Sequence, residues 1–79
     1  MIKFRIDRKL TNNGKDRLVI QVKKWWYFNW RDLYWKKDNE FFQVEFPIDQ
    51  YLEAVSFIED LKENLDKLEN YHTFPKCLI

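Results

Sequence analysis

The chain has one glycine, one cysteine, one histidine and two prolines among its 79 residues. Each scarcity excludes something. With Cys77 alone, no disulfide can form within the chain, and with His72 as the only histidine a zinc site of the usual ligand set is ruled out of expectation. The single glycine, Gly14, leaves no glycine-rich loop to cradle a phosphate. No run approaches the roughly 18 consecutive apolar residues of a membrane span. No metal, cofactor or membrane association is therefore expected. The first residues, Met1-Ile2-Lys3-Phe4-Arg5, alternate charged and apolar groups and read as a strand rather than a signal peptide. For a lone thiol without an export signal the expected compartment is the cytoplasm, the host's if the gene is carried by a phage.

Repeats, linkers and low-complexity tracts are also missing, so residues 1–79 are read as one domain. That size is near the limit for a lone hydrophobic core. With disulfides and metals set aside, oligomerisation is the remaining support, and a homodimer is the simplest form.

What is present is lopsided. Phe, Ile, Lys, Asn, Tyr and Met fill 34 positions, against 8 for Gly, Ala, Arg and Pro. The first group has AT-rich codons, which points to an AT-rich genome such as that of many phages. The net charge of +1 hides a division. Residues 1–40 hold 11 Lys and Arg against 5 Asp and Glu, whereas residues 41–79 hold 3 against 8. Two electrically different halves result.

Ile2, Phe4 and Ile6 alternate with Lys3, Arg5 and Asp7, and Leu18, Ile20 and Val22 alternate with Val19, Gln21 and Lys23. Period two of this kind marks half-buried strands. A three-residue loop, Asn12-Asn13-Gly14, sets Ile6 against Ile20, Phe4 against Val22 and Lys3 against Lys23, with Gly14 left-handed. A two-residue turn would put the apolar rows on different faces, so the odd loop is preferred. Phe42, Val44 and Phe46 form another alternating strand, and Leu33–Lys36 offers it a short partner across the turn at residues 37–40. Pro47 ends the sheet, Asp49 suits an N-cap, and a helical stripe of Tyr51, Ala54, Val55, Ile58, Leu61, Leu65 and Leu68 follows. The fold expected is α+β: a three- to four-stranded antiparallel sheet over residues 2–46, one long C-terminal helix over 50–70 packed on one face, and a tail over 71–79.

The run from Trp25 to Trp35 holds seven aromatics in eleven residues, with lysines on both sides. Burial accounts for part of it, since aromatics are strand formers. A sheet with one covered face cannot hide all of them, and exposed contiguous rings mark interfaces. The expected binding surface joins Lys3, Arg5, Lys23, Lys24, Trp25, Trp30, Arg31, Trp35 and Phe41. A helix of 21 residues, about 31 Å long, should overhang strands of about 20 Å. Leu61, Leu65 and Leu68, with Phe74 and Leu78 of the tail, are then the expected oligomer interface.

A sheet followed by one helix resembles the plant AP2-type and phage-integrase arm-type DNA-binding domains, and Phe46-Pro47-Ile48-Asp49-Gln50-Tyr51-Leu52-Glu53-Ala54 resembles their run into that helix. The resemblance implies sheet residues entering a major groove. This sequence departs from the pattern: its run is two residues longer, and the Arg- and Gly-rich first strands are missing. No catalytic constellation is visible. The functional expectation is a non-enzymatic phage or mobile-element accessory protein that inhibits a host protein, such as a defence factor, by stoichiometric binding. The alternative is a nucleotide or nucleic-acid binder, stacking bases on Trp25, Trp30 or Trp35 and holding phosphates with Lys3, Arg5, Lys23 and Lys24.

Overall fold

A computed structural model of the chain describes residues 2–10, 14–24 and 29–73. Strand β1 (Lys3–Leu10) pairs antiparallel with β2 (Asp16–Lys23), with Lys3 opposite Lys23, Phe4 opposite Val22 and Ile6 opposite Ile20. That is the register the hydrophobic rows require. Gly14 takes φ +76° as the odd loop demands, while Asn12 and Asn13 lie outside the described residues.

The chain then returns as one long hairpin with a split base. Strands β4 (Tyr34–Lys37) and β5 (Glu40–Gln43) pair across Asp38 and Asn39, whose φ of 53° and 67° make a tight turn with the twist hairpins favour. Toward the base the two arms separate. One continues back to β3 (Arg31–Asp32), paired with Gln21 and Val22 of β2. The other continues into β6 (Glu45–Pro47), paired with Arg17, Leu18 and Val19 of the same strand edge. Three residues close the fork. Leu33 N donates to Ile20 O at 3.0 Å, Ile20 N to Val44 O at 3.2 Å, and Val44 N to Leu33 O at 2.8 Å. The amides of all three residues at the split are thereby satisfied, and all three side chains enter the core.

Helix α1 spans Tyr51–Glu63 and packs its Ala54, Ile58 and Leu61 on the row of Ile20, Val22, Leu33 and Val44. It is shorter than the 50–70 expected from periodicity. A 3-10 turn at Ile48–Gln50 holds Asp49, which therefore does not cap the helix; Gln50 stands at the cap without a side-chain bond. At the other end Asn64 leaves helical geometry, with its N–H on Asp60 O at 3.1 Å, and a 3-10 segment follows over Leu65–Asn70. Asparagine competes with the helix for backbone bonds, so a break there is inexpensive. Lys67 reaches back to Asp60 Oδ2 at 2.8 Å across the break. The tighter segment turns Leu68 into the core and leaves Leu65 49% exposed. Strand β7 (Tyr71–His72) then pairs with β4, giving a second sheet in the order β5-β4-β7. No helix among the described residues is long and apolar enough to cross a membrane.

Because Leu61 and Leu68 are buried within the chain, they cannot form the expected oligomer seam, and the overhang that motivated it is missing. Leu65 alone of the described seam residues is on the surface; Phe74 and Leu78 lie outside the described residues.

Candidate binding surfaces

Strand parity puts Lys3, Arg5, Gln21, Lys23, Trp30 and Asp32 on the sheet face away from α1. Sequence reasoning expects this face to be open. Much of it is closed by its own polar groups. Asp32 is the hub: Lys9 Nζ donates to both carboxylate oxygens at 2.8 and 2.9 Å, Gln21 Nε2 to one at 2.7 Å, and Gln43 Nε2 to the other at 2.7 Å. Arg5 Nε donates to Gln21 Oε1 at 2.7 Å, and its guanidinium lies 4.5 Å from the centroid of the Trp30 ring. Gln21 is only 2% exposed, so these bonds satisfy an amide that water cannot reach. Lys9 sits opposite Arg17 yet reaches an acid beside Gln21, so its stem crosses over the fully buried Val19. Burial pushes the nearby Tyr34 phenol above its usual pKa; the Asp32 carboxylate adds to this and the Lys9 ammonium opposes it.

The expected basic-aromatic surface is therefore divided. Lys3 and Lys23 face each other on this side without an acidic partner among the described residues. Arg5 and Trp30 are committed to each other. Lys24 and Arg31 are half-buried toward the helix side, Lys24 in a small cleft with Leu68 and Thr73. Trp25 lies outside the described residues.

Trp35 and Phe41 sit apart from these, on opposite sides of the β4–β5 hairpin. Trp35 pairs across the strands with Phe42 on one hand and Tyr71 on the other. Its ring lies 5.0 Å from that of Phe42. Tyr71 continues edge-on to Phe57 at 5.5 Å, and Phe57 to Phe46 at 5.8 Å. Five rings thus run from the exposed hairpin to the core. Beside them is a groove of about 470 Å³, lined by Trp35, Val44, Phe46, Phe57 and Tyr71, with Lys36 and Asn70 among its polar lining. On the other side Phe41 meets His72 edge-on at 5.1 Å, with the Lys36 ammonium 5.8 Å from its centroid. His72 is a strand residue there. Trp35, Phe41 and Phe42 remain 40%, 43% and 41% exposed.

Sequence reasoning misses Asp32 and Phe42. Asp32 is legible as the one acid between Trp30 and Tyr34 at matching parity. Phe42 alternates with Val44 and Phe46 as a core residue would, but the hairpin carries it beyond the reach of α1.

No family model, curated protein or solved structure matches the chain. The likeness to sheet-based DNA-binding domains gains no support from these comparisons.

Proposed function

We propose that this protein is a small non-enzymatic binder that docks a host protein, such as a defence factor, through the aromatic strip of its β4–β5 hairpin, and inhibits it by occupancy. One observation carries the reading: two large rings, Trp35 and Phe42, lie 5.0 Å apart on one side of a short hairpin and stay at least 40% exposed. Leaving them in water forgoes roughly 25 cal/mol for each Å² of apolar surface, and contiguous aromatic surface is characteristic of interface centres. The test is affinity capture from host lysate with the wild type and with Trp35→Ala/Phe42→Ala, each first shown to be folded by circular dichroism. A stoichiometric partner held by the wild type and lost by the variant is expected. Equal capture by both proteins overturns the reading.

The groove beside the strip favours the second reading, nucleotide binding. Its rings offer a base faces to lie on. Tryptophan fluorescence titrated with nucleotides and oligonucleotides at two salt concentrations separates the two. Salt-sensitive quenching selects the nucleotide reading, and a flat response selects the protein partner.

A further inference from the structure

We propose that the outer edge of β1, together with the adjoining side of α1, takes up an extended peptide strand in which apolar residues alternate with carboxylates. The site is independent of the aromatic hairpin. Strand β1 ends its sheet: β2 occupies one edge, and among the described residues nothing pairs with the other. Alternate residues of such an edge present free N–H and C=O groups, the template that strand addition uses.

Beside this edge runs a groove of about 260 Å³, whose floor comes from Phe4 and Ile6 of β1 and from Tyr51, Val55 and Ile58 of α1. Lining by β1 and α1 without β2 puts it on the outer side of the edge strand. Phe4, Ile6 and Val55 belong to the apolar rows yet remain half-buried, because the helix does not close over them. Tyr51, Val55, Ile58 and Lys62 are spaced four, three and four, one stripe along the helix. At ~1.5 Å per residue that stripe is about 16 Å long, the length of a five-residue strand at ~3.3 Å each. Every second side chain of an added strand enters the groove, and the others emerge on the face of Lys3 and Arg5.

Charge decides the occupant. Four of the five charged side chains on β1 are cations: Lys3, Arg5, Arg8 and Lys9. Arg8 is neutralised by Asp16 at 2.7 Å and Lys9 by Asp32 at 2.8 Å. Lys3, with Lys23 opposite, and Arg5 have no acidic partner among the described residues, and they lie at the groove end of the strand. Like charges directly across a strand pair are destabilising, and carboxylates in an added strand relieve that. A second copy of β1 would bring more cations to the same place, so self-pairing is disfavoured. Glu59 lines the groove as well, but Lys62 lies 4.0 Å from it and balances its charge.

The test uses the full chain and two blocked, fluorescein-labelled heptapeptides, one alternating valine with glutamate and one alternating valine with lysine. Anisotropy should show saturable, salt-sensitive binding of the glutamate peptide and binding at least about tenfold weaker for the lysine peptide, the effect of roughly two exposed ion pairs. Amide exchange within β1 should slow on binding. Lys3→Glu/Lys23→Glu should reverse the preference, and Lys3→Gln/Lys23→Gln should weaken the glutamate peptide about threefold should the reversed protein misfold. Trp35→Ala/Phe42→Ala should bind it like the wild type, which keeps this site separable from the hairpin. No binding, equal binding of both peptides, indifference to the lysine changes, or protection at β5 in place of β1 each overturns the proposal.

Discussion

Replacing Asp32 with alanine removes the acceptor of four hydrogen bonds in one step. The three donors left behind differ in what they can do. Gln21 is 2% exposed, so its amide is stranded away from water, at a cost of about 1–3 kcal/mol. Gln43 is half-buried and can rehydrate, which limits its share to roughly 0.5 kcal/mol. The Lys9 side chain is 32% exposed and can swing into solvent, so its lost pairing costs about 0.5–1 kcal/mol. Together the change should destabilise the protein by about 3 kcal/mol. A domain of this size has on the order of 4–12 kcal/mol in hand, and each kcal/mol shifts Tm by about 4–8 °C. A Tm drop of roughly 12–24 °C is expected, read by thermal circular dichroism and cross-checked by urea unfolding. Lys9→Met, which keeps Asp32 bonded to both glutamines, should cost about 1 kcal/mol. If Asp32→Ala falls within about 0.5 kcal/mol of the wild type, the ordinary range for surface changes, the hub does not hold the face together and Gln21 has another partner.

Gly14→Ala should cost about 1 kcal/mol, because φ is +76° and a Cβ there meets nothing within 4 Å, so the whole penalty is backbone strain. Leu61→Ala should cost about 2–5 kcal/mol as a core truncation, while Leu65→Ser should change stability by less than about 0.5 kcal/mol and leave the mass by light scattering unchanged; a mass change would restore Leu65 to an interface. The Tyr34 phenol titrates above its usual value in the folded chain, so folding favours its protonated form: the contribution is whole below pH 10, the ordinary value, and is lost as pH rises through the raised one. Absorbance titration near 295 nm should show a late component that disappears in Tyr34→Phe, and a curve without that component in the wild type would contradict the burial assigned to it.

The alternating rows on β1 and β2 determine their pairing by themselves, because a one-residue slip would turn Phe4 and Ile6 to the wrong face. Gly14 is equally legible, since few residues other than glycine take a left-handed turn without strain. The apolar stripe locates α1 and its core contacts at Ala54, Ile58 and Leu61. Periodicity does not reveal where that helix ends. Leu61, Leu65 and Leu68 keep helical spacing through Asn64, and only the packing of Leu68 under the sheet shows that the chain tightens there and leaves Leu65 out. Nor does alternation place the aromatic rings. Trp35 and Phe42 carry the same signature as Leu33 and Val44, yet the first pair is exposed and the second buried. The difference is where the hairpin forks around β2: inside the fork α1 covers the row, and beyond it nothing among the described residues does. The charged face is decided in the same way. Arg5 and Gln21 read as open surface because the acid at the centre of their network, Asp32, lies on another strand and comes next to Gln21 only when β3 pairs with β2.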